Sequence, residues 1–378
     1  MLYISIVVLL VGIVYICVAW YIWKKGMFAS NTIDMREAMQ RSNVQVHKVT
    51  HKTQFGEADL FNPTIAPHPT NPELFLVFGR LTRSFNSKYM SFCNANKSKI
   101  PISHTYVDGA ESYFNNVDKN ETLLSALVQY TTNKTFDRTS TPAVINPFIT
   151  KAHIENISNP GIEDPRLFRF KNNMWCITGF RGRLTIDPSS NLQHNMIMFT
   201  VRDPGNITVL KYANRTFPLD KNWQPFEHDE SLYLVYSMSP HIILKVDTDT
   251  GVCTEQYSTP FPDNSPVKGT MGGGAPPQLV TWKKKQYYLG VAHTRYDFML
   301  THTRKTIWYL FQSSPPFAIT HIGPAFGILQ PDVDIEYVTG LVVDQDRDIA
   351  YISFGINDCF GGFKQLSLSN ILATLVKV

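Results

Sequence analysis

One pattern constrains this chain more than any other: a short polar corner with Pro or Gly, an apolar strand, a polar turn and a second strand, recurring along the sequence. It appears at 61–80 (FNPTIAPHPTNPELFLVFGR), 159–183 (NPGIEDPRLFRFKNNMWCITGFRGR), 221–237 (KNWQPFEHDESLYLVYS), 272–295 (GGGAPPQLVTWKKKQYYLGVAHTR) and 337–358 (YVTGLVVDQDRDIAYISFGIND). Counted from Asn62, Glu163, Lys221, Gly274 and Thr339, the steps are 101, 58, 53 and 65 residues. Five units of about one four-stranded blade each predict an all-β, five-bladed β-propeller, in which radial repetition leaves only short edges open. The long first step marks an insertion over 86–150. Few segments show a 3.6-residue period, which agrees with a mainly β domain.

At the N-terminus, residues 2–23 (LYISIVVLLVGIVYICVAWYIW) form an apolar run of bilayer-spanning length, flanked by Trp20, Tyr21, Trp23 and then Lys24-Lys25. A cleavable signal peptide would want a basic start, a shorter apolar core and a small-residue cleavage site, so a single retained transmembrane helix is the reading adopted. The domains expected are an anchor over 1–25, a stalk over 26–43 and the propeller over 44–378. Within the propeller, VQVHKV near Val44 is a candidate early strand closing the last blade. Lys24 and Lys25 favour a cytoplasmic C-terminal side. Six N-x-S/T sequons, at Asn96, Asn120, Asn133, Asn156, Asn206 and Asn214, favour a lumenal or extracellular one, and the second orientation is preferred because the site chemistry points to glycans.

With 17% charged residues, a formal charge of +4 and no basic run longer than Lys283-Lys284-Lys285 in an expected hairpin turn, the chain carries no nucleic-acid signal. Cys93, Cys176, Cys253 and Cys359 show no metal-ligand spacing, leaving structural disulfides or buried free thiols as equal alternatives. The glycines at 272–274 lack the spacing and following helix of a phosphate loop. No metal or cofactor is expected.

The stretch Glu163-Asp164-Pro165-Arg166 places two carboxylates and an arginine where a strand begins. Pro165 should hold Asp164 extended. Desolvation at a rim favours the protonated form of a carboxyl and a nearby arginine the charged form, so Asp164 is the first candidate for a general acid, with Glu163 paired to it. The competing reading is an ion-pair network that pins two blades together.

GIEDPRLF with the aromatic strand pair behind it resembles the signature of glycoside hydrolase family 130 and the related mannosyltransferases of glycosyltransferase family 108. KNWQPF with LYLVYSMSPHIIL, and GGGAPPQLV with YLGVAHT, resemble the later blades in the same order. The resemblance spans roughly 60–360 and leaves out the anchor, the stalk and the insertion. It implies a five-bladed propeller acting on β-mannosides with inversion, Asp164 being the acid. It also implies basic groups that hold phosphate or a donor diphosphate: Arg166, Arg181, His241 and Arg295, with Lys221 beside them. Asn62 and Arg80 from the first unit, Trp223 as a sugar-stacking face and His293 at a strand end complete the expected substrate-binding set. Core packing for Trp223, a satisfied structural role for His241 and a surface ion pair for His293 and Arg295 are the alternatives. Hydrolysis would need a second carboxylate to activate water, and Glu227, Glu230, Asp334 and Glu336 offer only the right residue type.

The expected partners are a glycan acceptor, inorganic phosphate or a nucleotide-sugar donor, and the membrane through residues 2–23. Hexosyl transfer, in the first place of a β-mannosyl residue, comes first, phosphorolysis or hydrolysis of β-mannosides second, and a non-catalytic glycan-binding or structural propeller third.

Overall fold

Short runs rich in Val, Ile, Tyr and Phe, bounded by turn-forming residues, favour antiparallel pairing between sequence neighbours. The computed structural model describes residues 17, 45–53, 56–83, 103–105, 125–145, 154–155, 161–181, 183–184, 194–214, 221–267, 270–298, 301–328, 335–356 and 360–378. After β1 (Gln45–Thr53) come β2 (Gly56–Pro67), β3 (Leu74–Arg83), the short β4 (Ser103–Thr105), β5 (Ser125–Asn133) and β6 (Ala143–Ile145). Of these, β2, β3, β5 and β6 form an antiparallel meander. The insertion therefore lies partly within this first unit, and β5 and β6 belong to its sheet.

Past β7 (Ile154–Glu155), a second meander joins β8 (Gly161–Phe170), β9 (Asn173–Arg181), and, beyond the short β10 (Arg183–Leu184), β11 (His194–Thr200) and β12 (Asp203–Tyr212). A third runs through β13 (Gln224–His228), β14 (Ser231–Met238), β15 (His241–Val246) and β16 (Val252–Thr259). In the fourth, β17 (Thr270–Gly273) and β18 (Gln278–Trp282) both pair with the long β19 (Lys285–Phe298), which also pairs with β20 (Thr301–Thr303). The order continues through β21 (Thr306–Gln312) to β22 (Ile319–Ile322). The last meander is β23 (Glu336–Asp344), β24 (Ile349–Ile356) and β25 (Phe360–Ser367). Its fourth place is taken by β1, whose Gln45–His47 pairs with Gly361–Phe363, as the early VQVHKV strand predicted.

Hairpin turns at Lys171-Asn172, Asp229-Glu230 and Lys283-Lys284 all have positive φ at both residues, the backbone hand that matches strand twist. The lysine run is thus a hairpin turn, as expected. Cys176 and Cys253 are buried free thiols, while Cys93 and Cys359 lie outside the described residues.

The apolar cores lie between consecutive meanders. Leu76 and Phe78 meet Ile162 and Phe180, and Phe168 and Phe170 meet Trp223 and Leu234. Phe226 and Tyr233 meet Tyr288 and Phe311, and Val291 and Trp308 meet Leu341 and Phe354. The last meander meets the first through Tyr351, whose ring stands edge-on to Phe75 and Phe136 at 4.9 and 6.0 Å. Polar ties run along the same seams. Leu167 N donates to Thr64 Oγ1 at 3.1 Å, Gln224 Nε2 to Ala275 O at 2.7 Å, and Thr339 Oγ1 to Pro63 O at 2.5 Å.

Among the described residues no helix is long and apolar enough to cross a membrane. Apart from Cys17, the expected anchor over 1–25 and the stalk over 26–43 lie outside the described residues. Of the sequons, Asn206 and Asn214 are exposed. Asn133 is partly buried and accepts from Thr135 N and Asp137 N, and the other three lie outside the described residues.

The seam between the last and first meanders yields a stability prediction. A Cβ on Gly340 would stand 2.3 Å from Ser353 Oγ and 2.4 Å from the backbone nitrogen of Ile65. Because one of these is backbone, Gly340→Ala should destabilise the fold by ~1–3 kcal/mol, seen as a lower denaturation midpoint in urea. An unchanged midpoint would show that this seam is loosely packed.

Candidate active site

The site begins with a backbone irregularity. The β2/β3 register shifts between Phe61 and Thr64, and the β8/β9 register between Glu163 and Arg166. Asn62, Asp164 and Asn222 occupy the corresponding corners of the first three meanders with φ of 47°, 51° and 70°. The expectation that Pro165 holds Asp164 extended is therefore corrected. The bulge demands a left-handed residue, and Asp and Asn accept that conformation more readily than other side-chain-bearing residues.

These corners bring charged groups from separate meanders together. Arg80 Nη2 lies 3.2 Å from Glu163 Oε1, and its Nη1 lies 3.6 Å from Asp164 Oδ1. Lys221 Nζ lies 3.1 Å from Glu163 Oε2 and 3.8 Å from Asp164 Oδ2. Asn62 Nδ2 donates to Asp164 Oδ1 at 2.7 Å, and His194 Nε2 is 3.9 Å from Glu163 Oε2. Glu163 and Asp164 are only 5% and 6% exposed, whereas the side chain of Lys221 is 39% exposed and gives the cluster an open side. Burial alone would raise the Glu163 carboxyl, but Arg80, Lys221 and His194 overcome it and hold Glu163 well below the usual carboxylate range. The two carboxylates and the ion pairs that tie three meanders together thus lie in one cluster.

Arg166 departs from its expected role as an anion holder. It is fully buried, and its Nε donates to Gly274 O at 2.7 Å, Nη1 to Asp164 O at 2.9 Å, and Nη2 to Asn222 Oδ1 at 3.1 Å and to Tyr337 Oη. Four of its five N–H donors are committed, so the guanidinium clamps the corners from beneath. Trp223 is also fully buried, edge-on to Tyr236 at 5.4 Å, which rules out the sugar-stacking expectation in favour of core packing. His241 is sealed among Tyr309 and Phe311, with neither ring nitrogen in hydrogen-bond geometry, and does not join the cluster.

His293 is 8% exposed, lies against Gly272 and stands edge-on to Tyr337 at 4.8 Å. Burial pushes its imidazole down to about 3. Arg304, Arg166 and Lys221 add to the fall and Asp164 opposes it, which puts the ring within electrostatic reach of Asp164. Arg295 is exposed, and the backbone of Arg181 pairs with Gly161 and His194 while its side chain lies outside the described residues.

Of the carboxylates considered for hydrolysis, Glu227 Oε2 accepts from Lys171 N and fully buried Glu336 accepts from Ile328 N. Glu230 sits in a hairpin turn, and Asp334 lies outside the described residues. Sequence reasoning missed Asn222, Tyr337, His194 and Arg304 as neighbours of the site. Asn222 was findable, since it occupies the corner that Asn62 and Asp164 occupy in other units; Arg304 has no comparable signal.

A cavity of about 270 Å³ lies past the bulges, lined by Ala66, Arg169, Glu227, Pro277 and Leu341 among others, so that all five meanders contribute to it. Neither Glu163 nor Asp164 lines it, and the carboxylate cluster is a separate place. Among the described residues no group of His, Cys, Asp and Glu is arranged to hold a metal ion.

Two outcomes follow for stability. Breaking the Arg166 clamp by Arg166→Met should cost about 3 kcal/mol or more, read by urea denaturation, because buried acceptors lose their donors. A cost near zero would mean that the corners hold without it. Burial also pushes His241 down, from 6.5 to about 4, a backbone contact at Phe317 opposing. A folded value below the unfolded one means that its share of stability is full above pH 6.5 and is lost as pH falls toward 4, ~3 kcal/mol in all. His241→Phe should flatten that part of the stability-against-pH curve; an unchanged slope would assign the acid sensitivity elsewhere.

No family model and no curated protein matches the chain. Solved structures do. The β-1,2-mannobiose phosphorylase from Listeria innocua is 13% identical, with 84% of this chain and 92% of that chain covered and a TM-score of 0.50. MPT-4, a mannose phosphorylase from Leishmania mexicana, is 11% identical over 93% and 96% of the two chains, with a TM-score of 0.48. MPT-1, a GDP-Man-dependent mannosyltransferase from Leishmania mexicana, is 12% identical over 89% and 94%, with a TM-score of 0.44. At 13% identity the likeness to the mannobiose phosphorylase is one of fold.

Proposed function

We propose that the protein is a carbohydrate-active enzyme that transfers a hexosyl residue, a β-mannosyl residue in the first place, with inversion at the anomeric carbon. The observation that carries this reading is the cluster of two nearly buried carboxylates bracketed by Arg80 and Lys221. Glu163, with the shorter cation contacts, is the fixed negative charge that positions the two cations. Asp164 has the longer contacts and supplies the acid or base, with Asn62 orienting its Oδ1. Arg80 and Lys221 are the groups for a phosphate or donor diphosphate, with His293 and Arg304 beside them. Phosphorolysis is the second reading, and the fold likeness to the mannobiose phosphorylase supports it.

In this reading the five meanders are the five blades of a propeller spanning 44–378. The core seams between each consecutive pair and the cavity that all five line support it. Residues 1–25 anchor the protein in a membrane and 26–43 form a stalk, with the propeller on the lumenal or extracellular side. The exposure of Asn206 and Asn214 supports that side, since both can carry N-linked glycans.

A donor and acceptor screen with inorganic phosphate present or absent tests the proposal. Turnover of a nucleotide sugar selects transfer, and phosphate-dependent release of a sugar 1-phosphate selects phosphorolysis. Asp164→Asn, which keeps a residue suited to positive φ, should slow either by about 10²–10⁴-fold. Glycan binding without turnover by wild type and variant alike would leave only a binding module.

A further inference from the structure

Each cation of the cluster is shared unequally between two carboxylates. Arg80 and Lys221 reach Glu163 at 3.2 and 3.1 Å but Asp164 only at 3.6 and 3.8 Å, one cation facing each oxygen of Asp164. Among the described residues Asn62 also donates to Asp164 Oδ1, and Glu163 shares both of its cations. Arg166 is spent on the Asp164 carbonyl, Gly274 O, Asn222 and Tyr337. His293 interacts with Asp164 electrostatically and is itself acted on by Arg304, Arg166 and Lys221. Of the two cations that touch Asp164, Lys221 is the accessible one at 39% exposure, so an anion entering from the open side meets Lys221 and then Arg80.

We infer that an anion bound by Arg80 and Lys221 drives one proton from solvent onto Asp164, so that the acid is armed only when the phosphate or diphosphate is in place. This rests on the functional reading above and adds a coupling to it. The anion weakens the longer cation contacts of Asp164 and places a like charge beside it, and both effects disfavour the ionised carboxyl. Glu163 keeps the shorter contacts and His194, so it stays charged and the proton goes to its neighbour. Because Oδ1 already accepts from Asn62, Oδ2 receives the proton, and no other bond is made or broken.

Sulfate, which does not titrate in this range, is the probe. Calorimetric titration of the full chain near pH 5, where a carboxyl raised by a neighbouring anion takes up its proton, in two buffers of different ionisation enthalpy, counts the protons taken up per sulfate bound. Wild type should take up close to one, and Asp164→Asn should bind sulfate with none. By reciprocity, wild-type affinity for sulfate should rise up to tenfold for each unit that the pH is lowered, a readout independent of any variant. Binding without proton uptake and with pH-independent affinity, or uptake that persists in Asp164→Asn, would overturn the coupling while leaving the anion site intact. Failure of wild type to bind either sulfate or phosphate would overturn both.

Discussion

The left-handed bulge at Asp164 is the constraint on which the rest depends. A regular strand would send Glu163 and Asp164 to opposite faces of the sheet. The bulge breaks that alternation, and both side chains engage the same two cations from other meanders. The φ of 51° at Asp164 is strained for most residues, and the surrounding structure holds it through Arg166, whose Nη1 binds the Asp164 carbonyl. The same device at Asn62 and Asn222 supplies one donor to Asp164 and one acceptor to Arg166. A single backbone device, repeated in successive units, thus builds most of the polar centre.

Charge decides what that centre is able to do. Two carboxylates this close would repel if both were left unpaired, and burial makes the ionised form costlier still. Arg80 and Lys221 resolve this unequally, and the inequality separates a permanent anion at Glu163 from a carboxyl at Asp164 with looser partners. Arg166, for all its proximity in sequence, takes no part in that division because its donors are turned to backbone carbonyls and to Asn222 and Tyr337.

Much of the sheet arrangement was legible in the sequence because it is local. The corner and hairpin grammar, the lysine turn at 283–284 and the VQVHKV strand follow from turn chemistry and alternation between near neighbours. The Glu163-Asp164 pair and the convergence of Asn62, Arg80 and Lys221 were legible through the repeat and the family-like strings. What failed was the sense of direction. Arg166, Trp223 and His241 stand in the right strings, yet they point into the clamp or the core; at Arg166 the register shift beside Asp164 changes which face the strand presents, and no spacing rule tracks it. The conformation of Asp164 departs from expectation because the bulge imposes a left-handed φ that outweighs the restriction from Pro165.

In the proposed reaction the corner at Asp164 presents one carboxyl oxygen to a sugar while Arg80 and Lys221 hold an anion beside it. A crystal structure of the full chain soaked with mannose and inorganic phosphate tests this most directly. The expected result is a sugar hydroxyl or anomeric oxygen within hydrogen-bond distance of Asp164 Oδ2 and phosphate oxygens on Arg80 and Lys221. Density for both molecules at some other place, with Asp164 still enclosed by Asn62, Arg80 and Lys221, would contradict it.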